Sequence, residues 1–219
     1  MKEVLEGVKS FKLVLMLLIC ATLALIILAV IANNYHSNLR RLSDRIIDNP
    51  FAALSEDEIA ILVEGILEGE VAPEDRRSLF AKAIVKRSQE YGGAIILECI
   101  MQRWKNTGEY DVVVREIERS VTKRNPNCNV LLLSLAAYDD IAAQDIVAKQ
   151  KSWINVDIEL FSALLLAANE DTIMAHANEI RERISMPDFP SKLKAYAERR
   201  LDRDQSKGRE LILREEKKK

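Results

Sequence analysis

Between Leu13 and Ala32 the chain runs for twenty residues without a charge, and Thr22 alone carries a strong hydrogen-bonding side chain. The block reads Leu13-Val-Leu-Met-Leu-Leu-Ile-Cys20-Ala-Thr-Leu-Ala-Leu-Ile-Ile-Leu-Ala-Val-Ile-Ala32. At about 1.5 Å per residue, a helix of this length spans about 30 Å, the thickness of a bilayer's hydrocarbon core. A helix buried in a soluble core seldom runs so far without a polar position. Residues 13–32 are therefore expected to be a transmembrane helix in contact with the lipid bilayer. Lys9, Lys12 and Val30-x-Ala32 fit a secretory signal weakly, but the apolar block exceeds the roughly 7–15 residues of a signal-peptide core. An uncleaved signal-anchor, crossing once, is the expectation.

Orientation is nearly balanced under the positive-inside rule. Lys2, Lys9, Lys12 and the terminal amine precede the block; Arg40, Arg41 and Arg45 follow it. Lys12 adjoins the apolar run, whereas Arg40 lies eight residues beyond Ala32. That difference favours a cytoplasmic N-terminus and an extracytoplasmic domain.

The net charge of −2 conceals a split. Residues 33–187 carry 18 Lys/Arg against 25 Asp/Glu, while residues 188–219 carry 11 against 7. An acidic domain argues against nucleic acid as its main partner, because phosphate binding requires a clustered cationic face. Cys20 falls inside the apolar block, which leaves Cys99 and Cys128 as the candidate disulfide. No Cys-x-x-Cys motif occurs, so zinc-ribbon and thioredoxin chemistry lack their marker.

Past the apolar block, Leu39, Leu42, Ile46 and Ile47 keep helical spacing, which predicts a stalk that continues the anchor to Asn49-Pro50. Ser55-Glu-Asp-Glu58 is a capping box, followed by Ile59, Leu62, Val63, Ile66 and Leu67, with Gly69 as the stop. Pro73-Glu74-Asp75 opens the next helix, and Gly92-Gly93 is read as a break after it. Further stripes run through Ile96–Trp104 and Val113–Val121. Val130–Ala137 is apolar on every side and is expected at the centre of the core. Asp139-Asp140 caps a helix through Val147; Phe161–Ala168 and Ile173–Ile184 form two more, closed by Met186-Pro187. A charged helix and tail begin at Ser191.

The predicted fold is all-α: a transmembrane helix followed by short antiparallel helices, arranged as a helical repeat (α-solenoid) or as an irregular bundle. An internal echo favours the repeat. Leu133-Ser-Leu-Ala-Ala-Tyr-Asp-Asp140 matches Leu164-Leu-Leu-Ala-Ala-Asn-Glu-Asp171 at five of eight positions, thirty-one residues on. The segments expected are a basic start over 1–12, the membrane helix over 13–32, a juxtamembrane stalk over 33–54, the helical domain over 55–187 and the charged helix and tail over 188–219.

Little chemistry accompanies this architecture. His36 sits just past the apolar block, and His176 and Glu179 are expected to make a surface pair. Neither supplies the duplicated Glu-x-x-His of a di-iron bundle. The acids at Glu56-Asp57-Glu58, Asp139-Asp140 and Glu170-Asp171 all fall at helix starts, where capping and the helix dipole account for them. No glycine-rich nucleotide loop and no Gly-x-Ser-x-Gly is present. No catalytic residue, metal ligand or cofactor site is assigned, and no small-molecule substrate is evident. Trp104 and Trp153 are the candidate interface anchors, since tryptophan is enriched at binding hot spots. In stacked helix pairs, the helices carrying Cys99 and Cys128 would be same-layer neighbours, which leaves a bridge between them open. The functional expectation is a single-pass scaffold or accessory subunit, not an enzyme, with protein partners in a membrane complex. A membrane-tethered enzyme with an acid-based site, or a single-span regulator, are the alternatives.

Overall fold

The computed structural model describes residues 2–88, 91–105, 107–187 and 189–202, and all regular structure among them is helical. In chain order the helices are α1 (Lys2–Asp48), α2 (Glu56–Glu68), α3 (Glu74–Arg87), α4 (Tyr91–Arg103), α5 (Gly108–Thr122), α6 (Cys128–Tyr138), α7 (Asp140–Ala148), α8 (Ile158–Ala167), α9 (Glu170–Ala175) and α10 (Ala177–Ile184). An eleventh, α11, covers 191–202. The part of the tail from residue 203 onward lies outside the described residues. The chain divides into two compact units, Met1–Phe80 and Ala81–Lys219, with the boundary inside α3.

In the first unit the apolar block and the stalk form one helix. No glycine or proline lies between Gly7 and Pro50 to interrupt it, and Pro50 disfavours helical geometry at Asn49, so α1 stops at Asp48. Its described apolar side chains from Met16 to Ile31 are all at least half exposed. Thr22 Oγ1 donates back to the Leu18 carbonyl (3.0 Å) and the Ile19 carbonyl (2.9 Å), so the one hydroxyl in the block is satisfied within the helix. This helix is long and apolar enough to cross a membrane.

The polar end of α1 pairs antiparallel with α2. Arg45 meets Glu58 at 2.7 Å, Leu39 packs over Gly65, and His36 Nδ1 meets Glu70 at 3.1 Å, so the partner numbers rise from α2 onward as the numbers on α1 fall. Leu39, Leu42 and Ile46 are buried on the α1 side, and Leu62 and Ile66 on the α2 side. The capping box forms as the sequence predicts: Glu58 N–H donates to Ser55 Oγ, and Ser55 N–H donates to Glu58 Oε2. Gly69 takes the left-handed C-cap at φ 82°. Arg77 then clamps the turn, donating to the carbonyls of Gly69 (2.7 Å) and Ala72 (3.2 Å), and Arg76 pairs with Asp44. A Cβ on Gly65 would lie 2.5 Å from a Leu39 methyl, and Leu39 is itself only 1% exposed. Gly65→Val is therefore expected to destabilise the α1–α2 hairpin by about 2 kcal/mol, the cost of overpacking a filled core. Earlier proteolysis of the α1–α2 turn than in wild type would register the loosening; an unchanged digestion rate would contradict it.

In the second unit the neighbours follow the order of stacked helix pairs. α4 packs on α5 and α6; α6 packs on α5, α7 and α8; α7 packs on α5 and α8. Helices two apart thus share a layer, α4–α6–α8 in one and α5–α7 in the other. α11 closes onto α8 through Arg200, whose Nη2 donates to the Ala168 carbonyl at 2.8 Å.

Helix starts recur at a spacing of thirty residues rather than thirty-one. The N-caps of α6 and α8 are Asn127 and Asp157, and those of α7 and α9 are Asp139 and Asn169. Both pairs stand thirty residues apart, and buried Leu131, Leu135, Ala143 and Val147 then match buried Phe161, Leu165, Ile173 and Ala177. The Leu-Ala echo was drawn to identical letters, whereas the fold keeps caps and buried positions in phase.

Three expectations are corrected. Gly92-Gly93 does not break the chain but lies within the first turn of α4, and Gly93 is needed there because the Arg87 carbonyl oxygen would sit 2.2 Å from any Cβ. α6 is central, yet it is not buried on every side: Val130 is 45% and Leu133 38% exposed, because a stack leaves one face of each layer uncovered. The Ile173–Ile184 stripe is two helices, α9 and α10, that meet at His176.

Candidate functional site

A polar cluster in the second unit forms where the α7–α8 connection meets α10. Asp157 caps α8 by accepting from Leu160 N–H (2.6 Å), which leaves the residues before it to be held from elsewhere. Glu179, in the first turn of α10, supplies that hold. Its Oε2 accepts from Trp153 N–H at 2.7 Å and from Ser152 Oγ–H at 2.9 Å, and its Oε1 pairs with His176 Nδ1 at 3.1 Å. The His176 ring stacks on Trp153, with centroids 4.7 Å apart and planes at 16°. Phe161 meets the other aromatic edge of Trp153 at 6.2 Å, and Phe189 meets Phe161 at 5.5 Å.

Ser152, His176 and Glu179 are the residue types of a hydrolytic triad, but their connections differ from one. A triad needs the hydroxyl on the imidazole and the carboxylate behind it. Here the hydroxyl goes to the carboxylate, and the imidazole lies flat against an indole. The arrangement is a latch: one carboxylate gathers a loop amide, a loop hydroxyl and a helix-junction histidine. The expected surface pair is more enclosed than a surface pair, with the His176 side chain 11% exposed.

Burial pushes the Glu179 carboxyl up, but the Trp153, Ser152 and His176 donors outweigh it, and the group rests below the usual carboxylate range. Glu58 is also held low, first by the Arg45 guanidinium and then by Ser55 N–H. A carboxyl lowered on folding contributes stability that is complete above its unfolded pKa and is lost as pH falls through the folded value. The thermal midpoint of the chain is thus expected to drop on acidification below about pH 5. Glu179→Gln removes the carboxyl's share of that slope, so its midpoint should vary less across the acid limb. Parallel profiles for variant and wild type would contradict the latch.

A second, smaller cluster joins α5 to the start of α7. Tyr110 Oη–H donates to Asp139 Oδ2 (3.1 Å), Asp139 Oδ1 caps Ala142 N–H (3.1 Å), and Lys105 Nζ donates to the Tyr138 carbonyl (3.0 Å). Burial, then the Asp139 charge, pushes the Tyr110 phenol well above its ordinary value, so it stays a donor. This cluster fastens one helix pair to the next.

The two tryptophans expected at an interface are in the core: Trp104 is 6% and Trp153 0% exposed. An indole with no free surface reaches a partner only if the helices part, and helix-end packing is what occupies both. Cys99 and Cys128 are both free. α4 and α6 are neighbours, as the stacking predicts. However, Cys99 lies eight residues into α4 and Cys128 is the first residue of α6. For parallel helices with level starts that offset is about 12 Å along the axis, beyond the roughly 4.4–6.8 Å Cα separation of a disulfide. Burial pushes both thiols up, so they are poor nucleophiles. Among the described residues, no group of three or more His, Cys, Asp or Glu is placed to hold a metal.

Two open cavities of about 470 and 420 Å³ flank α11. The first is lined in part by Arg181, Lys194, Glu198 and Asp202, and the second by Glu170, Tyr196, Arg199 and Arg200. Their carboxylates, Glu170, Glu198 and Asp202, are all exposed. Comparison of the chain with protein-family models, with curated proteins and with solved structures finds no match.

Sequence reasoning had the His176-x-x-Glu179 spacing but not its purpose. The link from Glu179 to Ser152 and Trp153 crosses twenty-six residues or more, and no local pattern announces it.

Proposed function

We propose that this chain is a single-pass membrane-anchored scaffold, or an accessory subunit of a larger membrane assembly, whose stacked helix pairs bind protein partners. The observation that carries the reading is the bare apolar surface of the second unit. Val130 (45%) and Leu133 (38%) of α6 and Leu166 (51%) of α8 are exposed on neighbouring helices of one layer, and Ile141 (74%) of α7 and Met174 (44%) of α9 are exposed elsewhere on the unit. Repeat stacks commonly use such extended surfaces for binding. The anchor is α1, whose exposed apolar length suits lipid, and the adjoining Lys12 favours a cytoplasmic N-terminus with the second unit on the opposite side.

Gentle-detergent extraction of the tagged chain, followed by mass spectrometry, tests the scaffold reading: a stoichiometric partner is expected, and a monodisperse chain alone would overturn it. Asp140→Cys, at an exposed position, tests the orientation. Labelling by a membrane-impermeant maleimide on intact cells is expected, and protection until lysis would reverse it.

A further inference from the structure

The loop that Glu179 holds also borders a third cavity, of about 280 Å³. Its floor is Val121 of α5, Val156 of the connection, and Leu160 and Leu164 of α8, each no more than 6% exposed. Its rim carries Arg124, Lys149 and Lys151, all three exposed. We propose that this cavity docks an acidic peptide segment of a partner protein, with one large apolar side chain on the floor and flanking carboxylates on Arg124 and Lys151. The proposal deepens the scaffold reading and rests on it.

No carboxylate lines this cavity, whereas each of the two beside α11 includes at least one. Residues 33–187 are acidic by 25 to 18, so a rim of cations alone is a local reversal of the domain's sign. Part of that rim is already matched: Lys149 pairs with Glu118 at 2.9 Å. The C-terminal ends of α5 and α7 also stand here, at Thr122 and Ala148, each equivalent to roughly half a negative charge. The field left for a ligand is modest, which suits a peptide held by a few contacts and released by salt.

The Arg124 backbone stands at φ 55°, in the left-handed region where glycine is cheaper by about 1–2 kcal/mol. Arginine occupies that position nonetheless, and its Nη1 donates to the Asn155 carbonyl at 2.5 Å. A guanidinium has five N–H donors in a planar fork, so one such bond leaves others for a carboxylate. Small-molecule and cofactor sites run about 300–1,000 Å³; this cavity falls just below them and suits one or two residues of a chain.

The test uses the full chain in phosphatidylcholine nanodiscs and a fluorescein-labelled ten-residue peptide with one Leu between runs of Asp and Glu. Anisotropy should show saturable binding that weakens as salt rises. Lys151→Glu should weaken it about tenfold, the scale of one charge-assisted contact turned to repulsion. Lys194→Glu, at a cavity beside α11, should leave it unchanged. A peptide with Leu replaced by Ser should also bind less tightly. The proposal is overturned by absence of saturable binding, by equal affinity of wild type and Lys151→Glu, or by equal affinity for the Leu and Ser peptides. Matching melting curves for the variants exclude misfolding as the cause. If a partner is captured equally by wild type and Lys151→Glu, this site fails and the scaffold reading stands; no partner and no peptide binding would overturn both.

Discussion

Trp153→Ala is expected to lower the thermal midpoint of the full chain in detergent by about 10 °C. The indole is fully buried and meets Phe161 edge-on and His176 face-on. Removing a buried tryptophan costs about 3–5 kcal/mol, through lost transfer energy and the cavity left behind. In a domain of this size each kcal/mol moves the midpoint by about 2–4 °C. The backbone amide remains, so the Glu179 bond to residue 153 survives and the loss reports on the ring alone. Trp153→Phe retains an aromatic face and should recover much of the difference. Circular dichroism melting checks both, and a midpoint shift under about 3 °C for the alanine variant would mean that the cluster does not anchor the loop.

Gly93→Ala is the second large effect. A Cβ there lies 2.2 Å from the Arg87 carbonyl oxygen and 2.6 Å from its carbonyl carbon. Both are backbone atoms, so no rotamer change relieves the contact, and the start of α4 must move away from the end of α3. Alanine gains about 1 kcal/mol of helix propensity, whereas overpacking costs about 1–3 kcal/mol and more where backbone must shift. At the upper end of that range the net expectation is a loss of about 2 kcal/mol. Gly108→Ala is the control: it also lies in a first helical turn, but a Cβ there meets nothing within 4 Å. That variant should be neutral or slightly stabilised by reduced freedom of the unfolded chain. Equal melting of the two variants would refute the close approach at Gly93.

The helices were legible because their signals are local. Ser55 with Glu58, Asp139 before α7 and Pro50 after α1 each act within one turn, and each sits where the spacing placed it. Gly93 misled because glycine has two uses. It can break a helix or permit one backbone to approach another, and only the position of Arg87 decides between them. Trp153 is ambiguous in the sequence for a related reason: its indole suits a hot spot or a core, and burial depends on α8 and α10, which follow later in the chain. The Glu179 latch and the cavity above Val121 depend on contacts across some thirty residues, so neither leaves a periodic trace. The same applies to the thirty-residue register, which is written in caps rather than in repeated letters.

The order of neighbours in the second unit governs how damage spreads. α6 and α7 contact α4 and α5 before them and α8 after them, so the unit is expected to open in steps rather than as one all-or-none core. Injury at α9 and α10 removes one interface and leaves those among α4, α5, α6 and α7 in place. α6 is the link that touches both sides, through α4 and α5 on one and α7 and α8 on the other. Fraying that begins at the last pair can therefore halt at α6, and amide exchange should record a plateau there instead of a single global opening.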